Sequence, residues 1–217
     1  MYSATSLFDL SHSRAGEFLA GFRYAWEALP GIGELILQLG PQLGADFTEI
    51  APQVWVHKSA KIAPTASITG PCIIGADTEV RHCAFIRGRA LVGDGCVVGN
   101  SVELKNVILF DKVQVPHFTY VGDSILGYCA HMGAGSVTSN VKSDKSLVVV
   151  HSDPEISTGL KKFGAMLGDH VEVGCNSVLN PGTVVGKNSS IYPVSNVRGV
   201  VPENSIYKDK GNIVGKH

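Results

Sequence analysis

VWVHKSAKIAPTASITGPCIIGADTEVRHCAFIRGRALVGDGCVVGNSVEL, residues 54–104, carries a beat of six. Val56, Ile62, Ile68, Ile74, Val80, Ile86, Val92, Val98 and Leu104 recur in phase without a miss. Two residues ahead of each stands a second, mostly small column: Val54, Ala60, Ala66, Cys72, Thr78, Ala84, Ala90, Cys96 and Val102. Gly75, Gly93 and Gly99 follow the branched aliphatic directly. A helix repeats near 3.6 residues and a plain strand at 2, so neither gives this spacing. A sustained six-residue period reads as a β-solenoid of short strands and tight turns. Both columns point inward, and glycine stands where the corner is tight. Three hexads close a triangular coil of about 18 residues, and coils stack at the ~4.8 Å strand spacing.

The beat resumes near the C-terminus in Leu167, Val173, Leu179, Val185, Ile191 and Val197. Between the two runs Leu109, Val115, Val121, Leu126 and Met132 carry it, but the step after Leu104 and the step after Val121 are each one residue short. A local breach of an otherwise strict rule is where function is expected. The fold class expected is all-β, a solenoid over residues 53–203 preceded by a helical segment at 1–52.

In that segment Phe18, Phe22, Ala25, Trp26 and Leu29 predict one helix from Ser13 to about Leu29. Ile32, Leu35, Ile36 and Leu39 predict a second, ending at Gly40–Pro41. Two short amphipathic helices form no core alone, so they are expected to cap or flank the open end of the solenoid. Residues 138–163 interrupt the beat as a loop or arm, and apolar Val148–Val150 should pack on something, a neighbouring subunit being the simplest candidate. Residues 204–217, with Lys208, Lys210 and Lys216, read as a solvated tail.

The chain has 217 residues and a formal charge of −1, which fits one main domain and offers no basic stripe for nucleic acid. Met1–Leu10 lacks a charged and then apolar leader, no run approaches a membrane span, and five unpaired-looking cysteines fit a reducing compartment, so a cytoplasmic protein without a membrane partner is expected. Cys72 and Cys96 fall in the inward small column and read as core fillers.

Stacking locates the chemistry. Arg87 and Lys105 lie one coil apart, each where glycine is usual, so two cations share a corner. Like charges this close repel, and an anion between them is a natural explanation. Counting through the short step sets Glu103 against Tyr120 and places His82, Asn100 and His117 on the preceding corner. One patch thus gathers Arg87, Glu103, Lys105, His117 and Tyr120, and an imidazole is the usual general base near neutral pH.

The stretch Asn100-Ser101-Val102-Glu103-Leu104-Lys105, followed by PHFTYVGDSILGYCAHMGAGSVTSN (116–140), resembles the C-terminal acetyltransferase half of bifunctional N-acetylglucosamine-1-phosphate uridyltransferase/glucosamine-1-phosphate acetyltransferase, a hexapeptide-repeat acyltransferase family. The likeness runs from about residue 54 to 200. It implies a left-handed β-helix, a homotrimer, and acetyl-CoA bound as co-substrate between subunits, with no metal required. Residue by residue, it implies His117 as base, Glu103 beside the reacting amine, Arg87, Lys105 and Tyr120 on the sugar phosphate, and Asn140, Lys162, Cys175 and Pro193 along the donor. His131 stands where the family has a substrate-contacting Asn, and Asn140-Val141-Lys142 replaces its Asn-Tyr-Asp. Residues 1–50 contain no Gly-rich turn like that of the family's nucleotide-binding half.

The function expected is therefore N-acetyl transfer to an amino-sugar phosphate, glucosamine-1-phosphate first, in UDP-N-acetylglucosamine biosynthesis. The Gly133-Ala134-Gly135 turn is a candidate oxyanion donor. Two other classes stand beside it. One is a non-catalytic sugar-phosphate or nucleotide-sugar binding scaffold. The other is a γ-carbonic-anhydrase-like zinc enzyme using His82, His117 and His131, although position 122, five after His117, is Gly.

Overall fold

The computed structural model describes residues 2–216. It is mostly β, a parallel solenoid with three faces and a few short helices. The first face stacks Val54–His57, Cys72–Ile74, Ala90–Val92, the far halves of Glu103–Leu109 and Tyr120–Leu126, then Ala165–Leu167, Thr183–Val185 and Val200–Val201. The second stacks Ser67–Thr69, Phe85–Arg87, the near halves of the same two long strands, Val137–Thr138, Val178–Leu179 and Asn196–Val197. The third runs from Lys61–Ile62 through Gln114–His117 and His131–Met132 to Ser205–Asp209.

The hexad columns fill the interior: from Ile74 to Leu104, and again from Leu167 to Val197, every large-column residue is buried. Polar members of the small column are satisfied inside, Thr78 Oγ1 donating to the Gly93 carbonyl and Ser189 Oγ to that of Pro202. Glycine after the aliphatic serves close stacking, since a Cβ at Gly99 would overlap the Pro116 carbonyl of the next coil. The short steps fall where the spacing sets them. Cys72 faces Ala90 at the full coil length, whereas Ala90 faces Val107 and Val107 faces Ser124 one residue early.

Among the described residues three α-helices precede the solenoid, α1 (Ala4–Leu7), α2 (Gly16–Ala20) and α3 (Ile32–Leu39), with 3-10 turns at Leu10–His12, Ala25–Gly31 and Gly40–Gln42. The single helix expected from Ser13 to Leu29 is broken, because the chain reverses there and Tyr24 is extended (φ −118°, ψ 140°). Nor do these helices close an end. They form a strap that makes two passes along the first face. One pass runs from Asp169, which accepts from the Asp9 N–H, past Asp111, whose N–H donates to the His12 carbonyl, to Asp94, paired with Arg14. The strap returns at Trp26, stacked on Phe163 at 5.6 Å, and descends past Asn106 to Trp55, against which Gly40 is pressed.

The reason lies in the outward residues of the first face. Trp55, Ile73, Leu91, Ile108, Ile125, Met166 and Val184 are apolar, and all are at most 8% exposed beneath the strap. An apolar ridge of that length left in water would be a strong driving force for covering it.

Three further expectations are corrected. Phe47–Ala51 is a strand, antiparallel to Val54–His57, and closes the N-terminal edge. The solvated tail is instead Ser205–Asp209 folding back on Asn212–Gly215, an antiparallel hairpin that closes the other edge. The arm holds a small hairpin, Val149–Val150 with Ile156–Ser157, and it packs on its own chain rather than needing a neighbour to cover it. Buried Val148 and Val150 lie against the corner of Gly182 and Gly199, both at positive φ, where a Cβ would meet the carbonyls of Val149 and His151.

Candidate active site

The second face and its two corners hold most of the residues singled out by stacking. Glu103 pairs in register with Tyr120 and Phe85, so these three point outward in one column. His117 ends the strand before that face and pairs with Asn100, putting its exposed imidazole at the entering corner. Arg87 and Lys105 stand at the leaving corner. The patch therefore spans one face, with the imidazole and the cations at opposite edges.

The two cations are not left facing each other. Arg87 Nη1 donates to Glu103 Oε1 at 2.6 Å, and the guanidinium lies 5.8 Å from the Phe85 ring. That carboxylate holds the Arg87 pKa above its ordinary value. Lys105 Nζ donates to Asp123 Oδ2 at 3.3 Å, with only 14% of its side chain exposed. Internal carboxylates thus do what the sequence reading assigned to a bound anion. Burial, with the charges of Asp123 and Glu103 behind it, raises the Tyr120 phenol above the usual tyrosine range.

Asn140 and Lys162 mark the two ends of the arm. The Phe163 N–H donates to the Asn140 carbonyl at 3.0 Å, bringing Lys162 back to where the arm departed. The Asn140 amide donates to the Tyr120 phenol at 3.1 Å and to Asp123 Oδ2 at 2.5 Å. Cys175 and Pro193 lie on the other corner, in line with His117. The Gly135 N–H donates to the His117 carbonyl, that of Asn176 to Ala134, and that of Val194 to Cys175. The corner above His117 is therefore a ladder of turns about 14 Å tall. Because the N–H groups of Gly133 and Gly135 already donate to the Val173 and His117 carbonyls, the oxyanion donor expected from that turn narrows to Ala134.

His131 is elsewhere. It projects from the third face, where its Nδ1 is 2.8 Å from Glu172 Oε2, in a shallow hollow with Lys112, Gln114 and Cys129. His82 shares the His117 corner but is held by Thr65 Oγ1 at 2.7 Å. Among the described residues no three His, Cys, Asp or Glu side chains are grouped to hold a metal ion, so the three histidines of the zinc reading do not converge.

Two residues of the site went unassigned in the sequence. Asp123 and Asn106 occupy the leaving corner with left-handed backbone, φ +48° and +55°, and are bonded to each other at 2.9 Å. The signal was available: by register the next two coils place Gly164 and Gly182 there.

Among the described residues no helix is long and apolar enough to cross a membrane. The family model described as the GMPPB C-terminal domain matches residues 68–188. Among relatives, the bifunctional protein GlmU of Methanococcus aeolicus is 32% identical over 187 residues, covering 78% of this chain and 46% of that protein. The bifunctional sugar-1-phosphate nucleotidylyltransferase/acetyltransferase of Sulfurisphaera tokodaii is 31% identical, over 75% of this chain and 41% of that one. The chain thus spans less than half the length of these relatives. A solved structure of a mutant of AntD, an N-acyltransferase from Bacillus cereus, aligns with a TM-score of 0.41 at 16% identity, over 74% of this chain and 78% of that one.

Proposed function

Given that the chain belongs to the family of the GMPPB C-terminal domain, we propose that it is an acyl-CoA-dependent N-acetyltransferase whose acceptor is an amino-sugar phosphate, glucosamine-1-phosphate first. The observation that carries this reading is the second face itself. Where the coil shortens, an exposed imidazole, a carboxylate, a phenol and two cations frame one surface, and a ladder of turns rises beside the imidazole. The names of the relatives, which include an acetyltransferase, support it.

In this reading the acceptor's phosphate lies against Arg87 and Lys105. The guanidinium is half exposed and can exchange Glu103 for a phosphate, to which its fork is matched. Releasing Glu103 frees that carboxylate to accept from the substrate amine. The amine nitrogen attacks the thioester carbonyl, His117 accepts the proton that the nitrogen sheds, and the CoA thiolate leaves and is protonated. The acyl donor lies along the corner of Cys175 and Pro193, with Asn140 and Lys162 near its reacting end. Holding both substrates in line supplies much of the rate. The left-handed sense of the coil, a homotrimer with sites between subunits, and a cytoplasmic setting belong to the same reading.

The test is thiol release from acetyl-CoA across a panel of amino-sugar 1- and 6-phosphates and the unphosphorylated sugars. Turnover that requires the phosphate is expected. Binding of the sugar phosphates without thiol release would instead favour the non-catalytic scaffold.

A further inference from the structure

Asp123 is a carboxylate only 5% exposed. Such a group is costly to bury unless donors surround it. Its donors are Lys105 at 3.3 Å, Asn140 at 2.5 Å and Asn106 at 2.9 Å. The first two are candidate site residues, and the Asn140 amide reaches on to the Tyr120 phenol. Asn106 also donates to the Leu29 carbonyl of the strap at 3.2 Å. Its own Oδ1 is buried with no hydrogen-bond partner among the described residues, which is unfavourable by itself. By register the coil before Asn106 places Arg89 at this corner, also left-handed at φ +50°, and the later coils place Gly164 and Gly182 there, so the corner itself does not call for a bonded Asn–Asp pair. At these two coils the chain keeps polar residues in a left-handed conformation and leaves one amide oxygen unmatched.

We propose that Asp123 is a positioning residue: its buried carboxylate anchors the Lys105 ammonium and the Asn140 amide, which fixes the Tyr120 phenol, and through Asn106 it ties this set to the N-terminal strap. The inference rests on the acyltransferase reading of the same face. Asp123 touches no substrate; it sets where the cation and the amide point.

The test is Asp123→Asn in the full-length chain. Asn keeps the shape and still accepts from Asn106, but it turns an N–H toward Lys105 and Asn140, donor against donor. The expected result is a fall of about 30-fold in kcat/KM for the phosphorylated acceptor, shared between KM and kcat, with an unchanged circular dichroism spectrum. In a Lys105→Ala background the same substitution should raise the acceptor KM by less than about twofold, because the residue it acts through is gone. A merely structural Asp123 would multiply the loss in both backgrounds. Should Asp123→Asn not fold, Asn106→Gly suits the left-handed corner, removes one donor, and should cost about fivefold in kcat/KM. Wild-type turnover together with an Asp123→Asn or Asn106→Gly enzyme unchanged in kcat/KM overturns this inference alone. A wild-type chain that does not turn over, whether or not it binds the acceptor by calorimetry, overturns the acyltransferase reading and this inference with it.

Discussion

Trp26→Ala should unfasten the strap, and the size of the effect follows from what the ring touches. Trp26 is 1% exposed, stacked on Tyr24 at 4.7 Å and on Phe163 at 5.6 Å, with Tyr2 at 6.3 Å. Truncating a buried ring of this size costs about 3–5 kcal/mol through lost burial and the cavity left behind. For a chain of 217 residues, each kcal/mol moves the melting temperature by about 2–4 °C, so a loss of roughly 6–20 °C is expected. Ile50→Ala is the control, since that side chain is 56% exposed and its loss should stay within about 0.5 kcal/mol. Thermal melts followed by circular dichroism give both values. Because the ring also holds Phe163 at the base of the arm, trypsin should cut at exposed Lys145 faster in Trp26→Ala than in the parent. A Trp26→Ala melt within about 3 °C of Ile50→Ala would refute the claim that the strap is an integral cover of the first face.

Other outcomes are equally concrete. Gly182→Ala should destabilise by about 1–3 kcal/mol and loosen the arm, because φ is +82° and a Cβ would sit 2.8 Å from the Val149 carbonyl; melting and limited proteolysis read both effects. Burial pushes the Cys72 and Cys96 thiols up to about 12, so at about pH 8 they carry almost no thiolate, and a thiol reagent followed by peptide mass analysis should mark exposed Cys83 and Cys175 but spare those two until the chain is unfolded. Arg87→Ala should raise KM for a phosphorylated acceptor about tenfold while leaving kcat within about threefold, and should not alter an unphosphorylated one, as steady-state kinetics on the paired acceptors will show.

The solenoid was legible because its interior is one-dimensional. An inward column at period six survives any detail of the turns, so Val56 through Leu104 announce the fold, and the two short steps after Leu104 and Val121 could be counted directly. The same arithmetic set Glu103 against Tyr120 and placed His117 above Asn100. The strap was missed for a reason that phase also contains. The outward residue between the two inward columns should be polar where a face meets water, yet Trp55, Ile73, Leu91, Ile108 and Ile125 are all apolar, which calls for a cover. Reading only the inward columns left the helices without a partner. The partners of the site cations were hidden for a different reason: whether Arg87 turns to Glu103 and Lys105 to Asp123 depends on rotamers and depth, which no spacing encodes. Asp123 could have been noticed as a carboxylate standing at a corner that later coils give to glycine.

The role of the imidazole at the entering corner is best judged by comparing His117→Ala with the parent in acetyl-CoA turnover and in calorimetric binding of glucosamine-1-phosphate. A general base at this position should leave acceptor affinity within about threefold and lower kcat by about 100-fold or more. Near-parental turnover by His117→Ala would contradict it.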